Sequence, residues 1–165
     1  MKIRKGTHSP FRLPRLLFGT RKLAYSVKFT DSCRYEIGSD QTDINKLFGI
    51  GYFPHHHRNS VRFGWVYNPS KNATMEIWAY WYQDGKRHYE FMCDVPINSV
   101  AYYEIATEYV KEWGWYFRLK VIFDRDVIGK AVVTIKPQSV GYLLRPYFGG
   151  NQTAPHNMEI WMERR

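Results

Sequence analysis

The chain has 165 residues, of which 44% are hydrophobic and 18% are aromatic. This length and composition predict a single domain with a substantial core and exclude a disordered tail. The formal net charge of +9 is unevenly distributed, because eight of the 24 basic residues and no acidic residue lie in the first 30 positions. We therefore expect a basic N-terminal arm over residues 1–21 and one folded domain over residues 22–165.

The basic arm predicts contact with an acidic surface, which fits a protein partner, nucleic acid or a membrane surface; it also fits a solvated tail kept soluble by its charge. Nearly all aromatic residues lie elsewhere in the chain, and this separation disfavours binding of nucleic acid. We expect protein partners in a larger assembly to meet the arm through its cations Arg4, Lys5, Arg12, Arg15, Arg21 and Lys22.

The two cysteines, Cys33 and Cys93, lie too far apart in the chain for a CxxC motif and are too few for a disulfide framework. The apolar run near the N-terminus, residues 16–18, is too short for a signal peptide or a transmembrane helix. We therefore expect no membrane insertion and a location in the cytoplasm or in a virion.

Apolar residues that alternate with polar ones predict strands along most of the chain. The predicted strands cover residues 23–29, 61–67, 75–83, 86–95, 115–123, 131–135, 142–148 and 158–162. Asp84-Gly85 predicts a tight hairpin turn, since both residues tolerate positive φ. Residues 127–130 predict a second turn, and residues 43–48 a short helix. Strands joined by short turns indicate an antiparallel sandwich or barrel.

The strand 75–83 is aromatic on both faces. One face supplies the core, and the other carries Glu76, Trp78, Tyr80 and Tyr82. A solvated sheet face is normally polar, so an aromatic outer face is either covered by another segment or forms a binding surface. Sugars stack their apolar faces on aromatic rings beside polar groups, and Arg62 would supply such a group. The candidate ligand-binding residues are therefore Arg62, Glu76, Trp78, Tyr80 and Tyr82.

Three consecutive histidines, His55–His57, precede the strand 61–67. Without an HExxH motif or clustered cysteines they do not predict a metal site, and we expect no metal and no cofactor. We expect them to lie partly exposed where the strand begins. Within that strand Phe63 and Trp65 should point into the core, and Arg62 onto the face that carries Trp78 and Tyr80.

Two segments carry a family resemblance. Residues 145–151 read RPYFGGN and are followed by Thr153-Ala154-Pro155-His156 and a final predicted strand, and residues 59–65 read NSVRFGW. Together they resemble a group of small jelly-roll proteins from gut bacteria and their phages, and more distantly the concanavalin A-like lectin and glucanase sandwiches. The resemblance implies an all-β fold, an antiparallel two-sheet jelly-roll sandwich.

Within that superfamily, residues 147–151 are similar to the tyrosine-phenylalanine-lysine-alanine-glycine segment of alginate-lyase-type enzymes, and residues 58–62 are similar to their arginine-rich strand. This implies a catalytic tyrosine at Tyr147, a carboxylate-binding arginine at Arg62 and a histidine base, for which His56 is the candidate. The sequence departs from the pattern, because glycine replaces the lysine and no glutamine-x-histidine strand is found.

Catalytic signatures are otherwise missing from the sequence, which contains no Glu-x-Asp-x-x-Glu pattern of the glucanases and no phosphate-binding loop. The sequence therefore favours a non-catalytic module over an enzyme. We expect a glycan-binding or structural component of a larger assembly, such as a phage virion, docked through its basic arm. The alternative is a polysaccharide lyase-like enzyme that acts on acidic glycans.

Overall fold

The computed structural model describes residues 1–10, 13, 15–112 and 114–165, and most of its regular structure is β-strand. The described residues form the strands β1 (Lys2–Ile3), β2 (Leu16–Phe18), β3 (Lys22–Phe29), β4 (Asn45–Tyr52), β5 (Ser60–Tyr67), β6 (Thr74–Gln83), β7 (Lys86–Pro96), β8 (Ala101–Val110), β9 (Gly114–Phe123), β10 (Asp126–Val133), β11 (Val140–Leu144) and β12 (Met158–Arg164). Short 3-10 turns span Asp31–Cys33, Gly38–Asp40 and Pro69–Lys71.

The strands form two antiparallel six-stranded sheets. The first sheet has the order β1-β12-β3-β8-β9-β10, and the second has the order β2-β11-β4-β5-β6-β7. Both sheets combine strands from the two ends of the chain with hairpins from its middle. The all-β, two-sheet jelly-roll sandwich that the sequence predicts is confirmed.

The core lies between the sheets and is filled by the inward positions of each strand. On β5 the side chains of Val61, Phe63 and Trp65 are completely buried, as their alternation predicts. Trp65 packs against Phe29 of the opposite sheet, with 5.4 Å between ring centroids. Phe63 meets Tyr103 of the opposite sheet edge to face at 5.2 Å. Aromatic side chains from both sheets therefore join the two layers.

The N-terminal segment adds an edge strand to each sheet. Strand β1 pairs with β12, and β2 pairs with β11. Between them, Gly6 donates a backbone hydrogen bond to Ala154 and Ala154 donates one to Thr7. The backbone of the segment expected to form an arm is thus bonded to the body of the same chain. Arg12, one of its predicted partner-binding cations, lies outside the described residues.

Two local predictions require correction. Residues 43–48 do not form a helix, because β4 begins at Asn45. The turn after β9 lies at Asp124 and Arg125, which have φ of 49° and 73°, and residues 127–130 belong to β10. The hairpin turn at Asp84-Gly85 is confirmed, with φ of 49° and 83°.

Candidate functional site

The candidate site lies on the outer face of the second sheet, the face that points away from the core. Strand β5 pairs with β6 along its full length, which places Arg62 opposite Tyr80, Gly64 opposite Trp78, and Ser60 opposite Tyr82. The register also places Val66 opposite Glu76. All of these residues share one face because neighbouring strands in register present their alternate residues together. The expected juxtaposition of Arg62 with Trp78 and Tyr80 is confirmed.

Arg62 is the central residue of this face. It is 6% exposed, its guanidinium lies 5.7 Å from the centre of the Tyr80 ring, and Nη2 donates a long hydrogen bond of 3.4 Å to Ser60. Its Nε is buried without a hydrogen-bond partner, and no carboxylate among the described residues pairs with it. Burial lowers the pKa of Arg62 to about 10, so the side chain still carries its charge at neutral pH.

Glycines allow the arginine stem to lie against the sheet. Gly49 of β4 is opposite Arg62, and a Cβ built on this glycine would lie 2.3 Å from the Arg62 Cβ. A Cβ on Gly64 would lie 2.4 Å from a methyl group of Ile44. Any larger residue at either position would displace its neighbour, so close packing requires glycine against Arg62 at position 49 and against Ile44 at position 64.

Lys46 lies next to Arg62 and was not singled out by the sequence. Its Nζ lies 5.2 Å from the centre of the Tyr80 ring and 5.9 Å from that of Tyr147, and it donates a 3.2 Å hydrogen bond to the carbonyl of Gly149. Burial lowers the pKa of Lys46 to about 8, and the positive charge of Arg62 acts in the same direction. The amine of Lys46 therefore changes between its charged and neutral forms near pH 8.

The histidines lie beside the same arginine. His55 and His57 are exposed and His56 is half-buried, which confirms the expected partial exposure at the start of β5. The Nδ1 of His56 lies 3.3 Å from the hydroxyl of Tyr142, and the ring of His57 lies 5.1 Å from that of Tyr82. Burial, with a contribution from Arg62, lowers the pKa of His56 to about 4. His56 is consequently neutral at neutral pH.

Tyr147 reaches the site through the loop that follows β11. An isolated antiparallel bridge joins Tyr147 to Lys46, with backbone hydrogen bonds of 2.8 and 2.9 Å. On its other side Tyr147 stacks on His8 of the N-terminal segment, with 4.8 Å between ring centroids and planes 8° apart. The Nδ1 of His8 is bonded to the carbonyl of Phe148 at 2.9 Å. The N-terminal segment thus helps to hold Tyr147 in place.

A cavity of about 550 Å³ opens at the other end of the face. Its aromatic walls include Trp78, Tyr80 and Tyr89, and the Nε1 of Trp78 is buried without a hydrogen-bond partner. The remaining lining residues are Gln41, Thr42, Asp43, Ile44, Lys46, Val66, Tyr67, Asn68, Glu76, Arg87, Gly150 and Asn151. A volume of this size with aromatic walls and a few polar groups is typical of a site for a small organic ligand.

The predicted site residues therefore lie on one face, although they divide between its two ends. Tyr82 and His56 lie near Arg62, whereas Glu76 and Trp78 line the cavity and Tyr80 adjoins both groups. Tyr147 joins them through Lys46. Their roles in ligand binding and catalysis stay predictions. Sequence reasoning missed Lys46, Asp43 and Tyr142, because each becomes part of the site through contacts between distant segments.

Comparison with solved structures finds alginate lyase Aly36B. Against a double mutant of that enzyme in complex with alginate trisaccharide, the TM-score is 0.61 at 12% identity, over 98% of this chain and 77% of the enzyme chain. Against the structure named alginate lyase Aly36B alone, the TM-score is 0.56 at 12% identity, over 99% and 77% of the two chains. The similarity establishes a shared jelly-roll fold and confirms the distant resemblance drawn from the sequence.

No protein-family model and no curated protein sequence matches the chain. Among the described residues, no helix is long and apolar enough to cross a lipid bilayer. The described His, Cys, Asp and Glu side chains also form no group of three or more that could hold a metal ion.

Proposed function

We propose that the outer face of the second sheet binds an acidic polysaccharide, with a sugar carboxylate bound by Arg62. The observation that carries this proposal is the state of Arg62, a charge that is 6% exposed and lacks a carboxylate partner among the described residues. Burying a charge is unfavourable unless it is paired, so an unpaired buried guanidinium indicates that the partner comes from a ligand. A guanidinium matches a carboxylate with two parallel hydrogen bonds.

The neighbouring side chains fit a sugar ligand. Trp78 and Tyr82, which are partly exposed, provide aromatic surfaces for the apolar faces of the rings, and Lys46 adds a second cation next to Arg62. Tyr80 is 4% exposed and lies beside both cations. The shared fold with an alginate lyase is in keeping with an acidic glycan, although fold similarity alone does not assign a ligand. In this proposal the domain is a binding module.

Calorimetric titration with acidic oligosaccharides and with their carboxyl-reduced, neutral counterparts tests the proposal. We expect the acidic forms to bind and the reduced forms to bind at least tenfold more weakly. Arg62→Met should abolish the preference, whereas Arg164→Met, the same change at an exposed arginine on β12 of the other sheet, should preserve it. Equal affinity for acidic and reduced forms would contradict the proposal.

A second candidate function, polysaccharide lyase activity, is favoured by the depressed pKa of Lys46. A neutral amine at this position would remove the proton on the carbon next to the carboxyl group, while Arg62 neutralises the carboxylate. A tyrosine hydroxyl, from Tyr80 or Tyr147, would donate its proton to the glycosidic oxygen as the carbon–oxygen bond breaks. The electron pair of the broken C–H bond forms the carbon–carbon double bond of an unsaturated uronate.

Ultraviolet absorbance of the unsaturated product separates the two candidates. An enzyme should raise the absorbance of acidic polysaccharide solutions, and Lys46→Met should remove this activity while oligosaccharide binding persists. Lys130→Met, the same change at an exposed lysine on β10 of the first sheet, provides the matched control. Tight binding without any rise in absorbance across a panel of uronate polymers identifies a binding module.

Docking into a larger assembly through the N-terminal cations is part of the same proposal. Four of them, Arg4, Lys5, Arg15 and Arg21, are exposed, whereas Lys22 forms a 2.7 Å ion pair with Glu104. Deletion of the segment would also remove β1 and β2, so charge removal is the cleaner test. Replacement of the four exposed cations by glutamine should weaken association with an acidic partner surface. An unchanged affinity would contradict this docking role.

A further inference from the structure

The two ends of the candidate site differ in charge. At one end Arg62 is buried without a carboxylate partner among the described residues. At the other end Asp43 and Glu76 line the cavity beside Trp78. Glu76 lies opposite Val66, four positions along β5 from Arg62, so the ends are about 13 Å apart along the strand. This separation is comparable to the length of a disaccharide.

The two carboxylates at the cavity end are in different states. Glu76 is already satisfied, with an ion pair of 3.1 Å to Lys71 and a hydrogen bond of 3.0 Å from Asn68. The carboxylate of Asp43 accepts no hydrogen bond and forms no ion pair within the part of the chain that the structure describes. Gly150 adjoins it, and a Cβ at this glycine would lie 2.8 Å from the Asp43 Oδ2. Asp43 is therefore available to a ligand.

The cavity end contains cations as well as carboxylates, because Lys46 and Arg87 are among its lining residues. Arg87 is exposed and lies opposite Tyr82, at the level of the arginine end. Lys46 is opposite Gly64, lines the cavity and interacts electrostatically with Asp43. A carboxylate is favoured beside Arg62, whose charge has no carboxylate partner among the described residues. In the cavity the two cations are balanced by Asp43 and Glu76, so a further carboxylate gains less there than an uncharged sugar whose donor groups can bond to Asp43.

We propose that the site binds a polysaccharide in which a uronate alternates with an uncharged sugar, such as an N-acetylated amino sugar. The uronate carboxylate pairs with Arg62, and the uncharged sugar occupies the cavity, where its hydroxyl and amide N–H groups donate hydrogen bonds to Asp43. The apolar face of this sugar packs on Trp78. The inference rests on the proposed function, because it assumes that Arg62 binds a carboxylate.

Three tetrasaccharides of equal length test the inference by calorimetric titration: one alternates glucuronate with N-acetylglucosamine, one contains uronates only, and one contains N-acetylglucosamine only. We expect the alternating tetrasaccharide to bind about tenfold or more tightly than the all-uronate one. Attraction of total charge predicts the reverse order, because the all-uronate ligand carries twice as many carboxylates. The order of affinities therefore separates a patterned site from a general cationic surface.

A substitution at Asp43 tests whether this residue causes the preference for the alternating over the all-uronate tetrasaccharide. Asp43→Asn keeps the size of the side chain and removes its charge. It should strengthen binding of the all-uronate tetrasaccharide about tenfold and reduce the difference in affinity between this ligand and the alternating one. Asp40→Asn, in the same loop but outside the cavity lining, is the matched control and should change neither affinity. An unchanged preference in Asp43→Asn would contradict the role of Asp43.

The remaining outcomes distinguish the two proposals. If the all-uronate ligand binds as tightly as the alternating one, or more tightly, the inference fails while the proposed function stands. If neither acidic ligand binds, the proposed function fails and the inference fails with it. Equal affinity for the alternating and the uncharged tetrasaccharides would show that Arg62 does not recognise a carboxylate, and it would overturn both.

Discussion

The outer faces of the two sheets each carry an arginine, Arg118 on the first and Arg62 on the second, and the surroundings of the two arginines differ. On the first sheet, Arg118 of β9 bonds to Glu104 at 3.2 Å and forms a second ion pair with Glu108. On the second sheet, Arg62 is more deeply buried and lacks any carboxylate partner among the described residues. The Nε atoms of both arginines are unpaired, so the contrast lies in their terminal nitrogens.

The first sheet satisfies its charges internally. Glu104 also pairs with Lys22 at 2.7 Å and accepts a hydrogen bond from the Tyr102 hydroxyl at 3.1 Å. Burial alone would raise the pKa of Glu104, but hydrogen bonds from Lys22, Tyr102 and Arg118 outweigh it and lower the pKa. A network in which each charged group has a partner stabilises the fold. The N–H donors of Arg62 that lack a carboxylate partner are instead suited to bind a ligand. Proteins commonly give up stability at binding sites in this way.

The largest expected effect is that of Arg62→Met, which should weaken ligand binding without lowering the stability of the fold. Arg62→Met should weaken binding of an acidic oligosaccharide by about 30-fold or more, which corresponds to at least ~2 kcal/mol. The same change should leave the free energy of unfolding equal or raise it by about 1 kcal/mol, because it removes a buried unpaired charge. Calorimetry and urea denaturation measure the two quantities. A variant that loses both binding and stability would show that Arg62 is structural.

The opposite result is expected on the first sheet. Arg118→Met leaves Glu104 with Lys22 but deprives Glu108 of its arginine partner. Because the network is partly exposed, the variant should lose about 1–2 kcal/mol of unfolding free energy, less than a fully buried pair would lose. Binding of acidic oligosaccharides should not change. A loss of binding at unchanged stability would place a second ligand site on the first sheet. It would contradict the view that Arg118 stabilises the fold whereas Arg62 binds a ligand.

Much of the arrangement around Arg62 could be predicted from the sequence. Alternation in β5 placed Phe63 and Trp65 in the core and Arg62 on the opposite face, and it placed Trp78 and Tyr80 on one face of β6. The period-two pattern suffices where one sheet face is buried and strand neighbours follow each other along the chain. The jelly-roll fold followed from these strands together with the family resemblance.

The residues that complete the site could not be predicted from local patterns. Lys46 lies in a segment predicted to be helical, because β4 is buried on both faces and has a register shift between Lys46 and Gly49 that interrupts its alternation. Its bridge to Tyr147 spans about 100 residues of chain, and the stacking of His8 on Tyr147 joins still more distant positions. Contacts of this kind follow from topology, which residue spacing does not encode.

The pH dependence of Lys46 gives a smaller effect. Its pKa is 10.5 in the unfolded chain and about 8 in the folded protein. Between these values the unfolded state binds more protons, so this residue makes the folded protein more stable as pH rises from about 8 to 10.5. The affinity for an acidic ligand should fall over the lower part of the same range, because the amine loses its charge.

Urea denaturation and calorimetry of the wild type and of Lys46→Met, compared from about pH 7 to pH 10.5, measure both trends. The rise in stability and the fall in affinity should be absent in the variant. Arg62 remains charged over most of this range, so binding is weakened without being abolished. Parallel pH profiles for the two proteins would show that Lys46 is fully solvated and would remove it from the site.

The smallest effect is expected for the three histidines next to Arg62. Replacement of His55, His56 and His57 by alanine should cost less than about 1 kcal/mol of unfolding free energy, because two of the rings are exposed and the third has one long hydrogen bond. In the same segment of chain, Trp65→Ala removes a fully buried ring and should cost about 3–5 kcal/mol. Urea denaturation of both variants provides the comparison. A histidine variant that loses as much as Trp65→Ala, or a wild-type melting temperature that falls on chelation and recovers with zinc, would make the histidines a structural centre. If the histidine variant is as stable as the wild type but binds the oligosaccharide more weakly, the three histidines belong, like Arg62, to the ligand-binding face of the second sheet.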